Sequence, residues 1–212
     1  MINSVKPNLI VSDSRGAWFR ATILFILALI GTVGMWSVVV FIPDIEKEFG
    51  LDRGTSSLLY AFTMIGFGFG TVVIGKVYDK FGIKKPILLA TFVLITSYYF
   101  YSIFPFYWQF LILQFFMGFA ASAFFGPAMA DISNFFNKQR GFALSIVASA
   151  NYVAGATWPL LIGYFLTFID WRAAHFWISI CLFIMIPLIL LLKNASVDES
   201  KSHDMKQRYK DI

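Results

Sequence analysis

The stretch Gly75-Lys-Val-Tyr-Asp-Lys-Phe-Gly-Ile-Lys-Lys-Pro86 is a short basic segment between two long runs without charge. It holds four lysines and one aspartate. Gly82 permits a tight turn, and Pro86 suits the first turn of a helix that follows. Because basic loops between membrane-length runs stay in the cytoplasm, the segment predicts two membrane spans that are joined on the cytoplasmic side.

The composition is typical of a membrane protein. Of the 212 residues, 58% are hydrophobic and 14% are charged, whereas ordinary soluble domains have about 45–50% and about 25%. The formal charge of +5 is distributed over the segments between apolar runs, which argues against a basic face for nucleic acid. The single cysteine, Cys181, allows neither an internal disulfide nor a cysteine-based metal site, and no cofactor is expected.

Six apolar runs are long enough to cross a hydrocarbon core of ~30 Å, which takes about 20 helical residues. The predicted spans are residues 21–42, 54–75, 87–104, 107–130, 141–169 and 173–192. They predict an all-α, polytopic fold with a six-helix transmembrane domain at 21–192. A cytoplasmic N-terminal segment at 1–20 and a mobile cytoplasmic tail at 193–212 flank it. Pro43 is expected to end the first span.

The distribution of lysine and arginine predicts which side of the membrane holds the termini. The segments on the side of the termini carry 14 of these residues, and the segments on the other side carry three. The larger count marks the cytoplasmic side, so both termini are expected there. The protein is expected in the plasma (inner) membrane, in contact with the lipid bilayer.

The basic segment resembles the signature G-x-x-x-D-[RK]-x-G-x-[RK]-[RK] that major facilitator superfamily transporters carry between their second and third helices. The matching residues are Gly75, Asp79, Lys80, Gly82, Lys84 and Lys85. The resemblance implies half of a major facilitator fold, with a three-plus-three inverted repeat. It also implies that Asp79 acts in gating, through the N-terminus of a helix in a second half. The alternative is a solvated aspartate that balances the lysines.

Three further stretches extend the resemblance. Gly155-Ala-Thr-Trp-Pro159, followed by Gly163, resembles the glycine–proline motif of the fifth helix, although no glycine directly precedes Pro159. Residues 135–143 resemble the F-x-x-x-R-G-x-A start of that helix. Asp170-Trp-Arg-Ala-Ala174 resembles the W-R-x-x-F turn of the monocarboxylate and oxalate/formate-type branches, which implies a small organic anion as solute.

Two departures from the family pattern affect the expected mechanism. Gln114 stands four residues before Gly118, where the family often has an arginine that is linked to proton coupling. Full members have two six-helix halves, and this chain resembles the first. Because the solute site of this fold lies between repeats, transport is expected to need a second six-helix half or a homodimer partner.

Glycines also mark the second predicted span. Gly66-Phe-Gly-Phe-Gly70 lies in the middle of this run and follows no strand, which argues against a phosphate-binding loop. Small residues at helical spacing are typical of close helix packing in membranes. We therefore expect this stretch to pack against another span.

Solute contacts are expected from neutral polar and aromatic side chains, because no Asp, Glu, Lys or Arg lies in the middle of a predicted span. The candidate cavity-lining residues are Trp36, Tyr60, Gln114, Asn151 and Tyr152, with Gln109 and Trp158 as further candidates. An amide in hydrocarbon costs several kcal/mol unless it is paired or hydrated. The two interior amides should therefore face another helix or a water-filled cavity. For each candidate, an interfacial or helix-packing role is the alternative.

Three functions follow from these patterns. The first is secondary-active transport of a small solute by alternating access, as half of a transporter. The second is a truncated or regulatory membrane protein that does not transport. The third, an intramembrane enzyme, is disfavoured because the chain has no G-x-S-x-G motif, and His175 has no nearby His or Cys with which to share a metal.

Overall fold

The computed structural model describes residues 8–192 and 195–197, so the predicted mobility of the tail falls largely outside the described residues. Six helices in these ranges are long and apolar enough to cross a membrane: span 1 (Arg15–Phe49), span 2 (Arg53–Phe81), span 3 (Lys84–Ile103), span 4 (Tyr107–Phe135), span 5 (Arg140–Phe165) and span 6 (Trp171–Leu191). The all-α fold with six spans is confirmed. Two short strands, β1 (Asn8–Ile10) and β2 (Ala195–Val197), pair in parallel, which brings both ends of the described chain to one end of the bundle.

Three of the described spans are interrupted. Span 1 consists of the helices Arg15–Gly31 and Val33–Phe49. Span 4 consists of the helices Tyr107–Ala121 and Gly126–Phe135 with the 3-10 turn Ser122–Phe124 between them. Span 6 consists of the helices Trp171–Cys181 and Met185–Leu191 with the 3-10 turn Leu182–Ile184 between them. Spans 2, 3 and 5 are continuous helices.

The prediction that Pro43 ends the first span is wrong, because the helix Val33–Phe49 continues through it. Membrane helices tolerate proline where neighbouring groups satisfy the freed carbonyl. The helix ends instead at Gly50, which has a φ of 62°. Glycine adopts this left-handed conformation without steric cost.

Polar side chains fix where three of the spans begin. Ser14, Asp52 and Asp170 each accept a hydrogen bond from the backbone N–H three residues later, at 3.3, 3.1 and 2.9 Å. This is the ordinary N-cap geometry. It starts span 1 at Arg15 rather than at residue 21. Hydrogen bonds from Thr55 hold the pKa of the Asp52 carboxyl below its usual value.

The helices pack in a pattern that follows a three-plus-three repeat. Span 1 packs on span 5, and span 4 packs on span 2. Span 1 also contacts span 2, and span 4 contacts span 5. Two further contacts join span 1 to span 4 and span 3 to span 6. Exchanging spans 1, 2 and 3 with spans 4, 5 and 6 maps this set of contacts onto itself. These contacts agree with the expected internal repeat, which has no clear trace in the amino-acid sequence, whereas the contact between spans 2 and 3 has no counterpart of similar extent between spans 5 and 6.

Burial follows the same repeat. The most apolar windows of spans 1 and 4 are both 61% buried, whereas those of spans 2 and 5 are 28% and 22% buried. Spans 1 and 4 therefore form the centre of the bundle, and spans 2 and 5 have broad exposed faces. Large apolar side chains such as Phe69 and Leu160 lie on these faces.

Spans 2 and 4 are in direct backbone contact at glycines. A Cβ added to Gly66 would lie 2.0 Å from the carbonyl oxygen of Phe115, and one added to Gly118 would lie 1.9 Å from that of Thr63. Gly70 is similarly close to the span 4 backbone. The expected packing role of the 66–70 glycine stretch is confirmed.

Candidate functional site

The centre of the bundle is the point where spans 1 and 4 cross at their interruptions. A Cβ on Gly31 would lie 2.5 Å from the ring of Phe124, so the end of one broken helix packs directly on the 3-10 turn of the other. Thr32, in the break of span 1, is buried and donates from its Oγ1 to the Ala28 carbonyl oxygen at 2.8 Å. Discontinuous helices at equivalent positions of two repeats are the best structural indicator of a transporter binding site.

Two tryptophans join span 1 to span 5 on either side of this break. Trp158 donates from Nε1 to the carbonyl oxygen of Leu29 at 2.7 Å. That carbonyl belongs to the last turn of the helix Arg15–Gly31, just before the break at Thr32. Trp36 donates from Nε1 to Asn151 Oδ1 at 3.1 Å. The candidates Trp36 and Asn151 are therefore brought together.

The hydrogen bond from Trp36 fixes the orientation of the Asn151 amide. An indole N–H can only donate, so the Asn151 oxygen must face it and the amide nitrogen must point away. Asn151 is half-buried, and no described residue accepts a hydrogen bond from its Nδ2. The pair thus presents a directed donor at the face of the bundle.

Gln114, the other interior amide, lies inside the bundle. It is 1% exposed, its Oε1 accepts from Thr63 Oγ1 at 2.8 Å, and its Nε2 donates to the Tyr101 hydroxyl at 3.4 Å. As expected of amides in hydrocarbon, both Gln114 and Asn151 are paired with another helix. In this conformation the Gln114 amide joins spans 2, 3 and 4.

The remaining cavity candidates lie apart from the span 1–span 4 crossing. Tyr152 is 72% exposed on span 5, and Tyr60 is exposed on span 2. Gln109 caps the start of span 4 by accepting from the Phe106 backbone N–H at 3.2 Å. None of these three side chains forms a hydrogen bond with Trp36 or Asn151.

The three residues of the helix-five motif differ in their surroundings. A Cβ on Gly155 would lie 3.0 Å from the indole of Trp36, so glycine lets this ring lie against span 5. Pro159 lies inside the continuous helix, four residues after Gly155, and cannot donate to its carbonyl. Gly163 has no neighbour within 4 Å of an added Cβ.

The basic segment is mostly helical rather than a loop. Span 2 continues to Phe81, so Gly75, Asp79 and Lys80 lie in its last turns. Gly82 forms the turn with a φ of 73°, and Lys84 already begins span 3. The side chains of Asp79, Lys80 and Lys85 are exposed.

Sequence reasoning missed an ion pair between spans 1 and 4. Arg20 donates from Nε and Nη2 to the two oxygens of Asp131, at 2.6 and 2.9 Å, and the two side chains are 5% and 8% exposed. Both residues were assigned to segments outside the spans. Helical periodicity could have found the pair, because Arg20 shares the buried face of Leu24 and Leu27. Asp131 likewise lies next to the buried Ile132.

Sequence reasoning also missed that Asp13 joins the start of span 1 to the turn between spans 4 and 5. Its carboxylate accepts hydrogen bonds from the backbone N–H groups of Asn137, Lys138 and Gln139, at 3.2, 3.1 and 3.1 Å. Trp18 donates from Nε1 to Gln139 Oε1 at 3.2 Å. The start of span 1 is thereby tied to the turn between spans 4 and 5.

The W-R turn closes the opposite end of the bundle. Glu48 accepts from Arg172 Nη2 at 2.6 Å and from Trp171 Nε1 at 2.8 Å. Arg172 also donates from Nη1 to the Phe104 carbonyl oxygen at 2.8 Å. These bonds join span 1, the turn between spans 3 and 4, and the start of span 6.

Glu48→Gln is expected to lower the free energy of unfolding by about 1 kcal/mol, because it removes one charge from a partly exposed ion pair. The midpoint of thermal unfolding in detergent should fall by roughly 2–4 °C. Asp44→Asn, on the same helix and in no ion pair with a described residue, is the matched control. Equal midpoints for the two variants would contradict a stabilising role for this contact.

No group of three or more His, Cys, Asp or Glu among the described residues could hold a metal ion. His175 is buried, stacks on Tyr101 with ring centroids 4.3 Å apart, and donates from Nδ1 to the Trp171 carbonyl oxygen at 2.7 Å. Its surroundings are those of a packed side chain at the interface of spans 3 and 6.

Comparison with known proteins places the chain among transporters. The family model for the Major Facilitator Superfamily matches residues 24–210. The MFS-type transporter pynF of Aspergillus niger is 28% identical over 148 residues, which is 68% of this chain and 33% of that protein. The uncharacterized MFS-type transporter YdgK of Bacillus subtilis is 25% identical, over 81% of this chain and 44% of that protein.

A third relative is the inner membrane transport protein YnfM of Escherichia coli, which is 23% identical over 80% of this chain and 41% of its own length. The chain thus covers between a third and just under half of the length of these curated relatives. The family match, these transporter relatives and the six apolar spans support a multi-pass protein of membrane transport rather than an enzyme. On the match over residues 24–210, the chain belongs to the Major Facilitator Superfamily.

Proposed function

We propose that this chain forms one six-helix half of a secondary transporter that moves a small solute by alternating access. The observation that carries the proposal is the crossing of two interrupted helices, spans 1 and 4, at the centre of a bundle with three-plus-three packing. Transporters bind their solutes at such discontinuities, between repeats. The plasma (inner) membrane, with both termini on the cytoplasmic side, is part of this proposal.

A second six-helix half completes the cavity, on the same polypeptide, on another one, or in a second copy of this chain. Its support is the exposure of spans 2 and 5, where Tyr152 and Leu160 are 72% and 75% exposed. The greater length of the relatives agrees with it. Asp79, exposed at the end of span 2 and in no ion pair with a described residue, is available to meet a helix N-terminus of that half and so to act in gating.

The solute in this proposal is a small organic anion. Asn151 Nδ2 is directed away from Trp36 and has no acceptor among the described residues, so it can donate to a carboxylate oxygen. The resemblance of residues 170–174 to the monocarboxylate and oxalate/formate-type turn favours the same class of solute.

Asn151→Leu is expected to lower kcat/KM for carboxylate transport about 10- to 100-fold, since a hydrogen bond to a charged group contributes about 1.5–3 kcal/mol. Proteoliposomes that contain the natural assembly would be assayed with radiolabelled short mono- and dicarboxylates. Thr157→Val is the control, because this hydroxyl bonds the Val153 carbonyl of its own helix at 2.8 Å.

Two outcomes would count against the proposal. Equal transport rates for Asn151→Leu and the parent would show that Asn151 does not bind the solute. Failure of the natural assembly to move any solute of a broad panel would favour the alternative, a membrane protein with a regulatory role and no transport activity.

A further inference from the structure

The outer surface of the bundle has an apolar groove between spans 3 and 6. Its volume is about 500 Å³. Its apolar lining consists of Leu88, Leu89, Phe92, Ile95, Phe183 and Ile186. Leu89 and Phe92 are 52% and 65% exposed, so the groove opens away from the bundle.

The groove has the length of one membrane leaflet. It extends along span 3 from Lys85 to Ile95, a rise of about 15 Å at 1.5 Å per helical residue. Half of a ~30 Å hydrocarbon core is about the same length. A single lipid chain that enters from the span 2–span 3 turn would therefore lie along it.

Two lysine cations lie at the end of the groove that meets this turn. Lys85, which lines the groove, has its Nζ 4.3 Å from the centroid of the Phe81 ring, and Lys80 has its Nζ 5.3 Å from the same centroid. Neither lysine forms an ion pair with a described residue. The segment from Gly75 to Pro86 holds four lysines against one aspartate, Asp79, so the local charge is positive.

We propose that this groove binds an anionic glycerophospholipid, with one acyl chain between spans 3 and 6 and the phosphate between Lys80 and Lys85. The apolar groove and the cations are continuous, which matches the order of chain and phosphate in such a lipid. A zwitterionic lipid carries its own cation, which the lysines repel. A free anion gains nothing from the groove.

The test measures binding of a fluorescent phosphatidylglycerol to the purified full chain in detergent, with phosphatidylcholine as the comparison. Each lysine should contribute about fivefold to the affinity, so the double variant K80Q/K85Q should bind about 25-fold more weakly. The single variants K80Q and K85Q should each bind about fivefold more weakly. Lys76→Gln, which also removes one exposed lysine of span 2 but lies one turn further from the groove, is the charge-matched control for each single variant and should have a smaller effect.

A second arm tests the groove itself. Leu89→Trp should fill the groove at an exposed position and weaken binding of the lipid at least as much as one lysine substitution. Inorganic phosphate should fail to displace the lipid at millimolar concentration. The proposal is overturned by unchanged affinity in K80Q/K85Q or in Leu89→Trp, by equal binding of phosphatidylcholine, or by displacement with phosphate. None of these readouts depends on transport, so the result stands apart from the proposed function.

Discussion

Arg20→Leu is expected to lower the free energy of unfolding by about 3–5 kcal/mol, because it leaves the Asp131 carboxylate buried without its cation. The two side chains are 5% and 8% exposed and are joined by two hydrogen bonds, so solvent cannot replace the lost partner. Asp131→Leu should have a similar effect. In a thermal unfolding experiment in detergent, each variant should unfold roughly 6–20 °C below the parent.

The double variant R20L/D131L is the informative control. Replacing both partners of a buried ion pair by apolar residues is often neutral or stabilising, so the double variant should recover most of the loss. Arg20→Lys keeps the positive charge but loses the bidentate hydrogen bonding to Asp131. Its unfolding midpoint should therefore lie between those of the parent and of Arg20→Leu. A single variant as stable as the parent would contradict the assignment of this pair as a buried connector of spans 1 and 4.

Gly118→Ala is expected to separate spans 2 and 4, because the new Cβ would lie 1.9 Å from the Thr63 carbonyl oxygen. The obstructing atom belongs to the backbone, so no side-chain rotation relieves the overlap. Overpacking of this kind costs about 1–3 kcal/mol and occasionally more. The folded, monodisperse fraction in size-exclusion chromatography and the unfolding midpoint should both fall.

Gly68→Ala is the matched control for this prediction. Gly68 lies on span 2 between two packed glycines, and an added Cβ there has no neighbour within 4 Å. Alanine has a higher helix propensity than glycine by about 1 kcal/mol, so Gly68→Ala should be neutral or stabilising. If Gly118→Ala and Gly68→Ala lowered the unfolding midpoint equally, the close approach of spans 2 and 4 would not be the reason for the loss.

Run length and charge were sufficient to predict six helical spans, because a membrane-crossing helix needs an apolar length that few other structures need. The same signals misplaced helix ends. The charge of Arg20 predicts a position outside the membrane span, although in the structure this side chain is buried against Asp131. Pro43 likewise predicts the end of a helix, although the helix continues through this residue to Phe49.

The candidate site was predicted only in part, for a physical reason. An interior amide must be paired, and the sequence indicates that need but not the partner. Asn151 pairs with Trp36 at the face of the bundle, and Gln114 pairs with Thr63 and Tyr101 inside it. The difference depends on which helices are neighbours, and that order appears in the packing rather than in the amino-acid sequence.

Photo-crosslinking from the exposed face of span 5 in native membranes tests directly whether a second six-helix half covers this face. The photoreactive residue p-benzoylphenylalanine would replace Tyr152, which is 72% exposed, and in a control Phe92, which is 65% exposed beside the span 3–span 6 groove. We expect the adduct at Tyr152 to contain a helical membrane segment outside residues 1–212 or a second copy of the chain. The adduct at Phe92 should contain lipid. Lipid adducts alone at both positions would contradict a second half on this face.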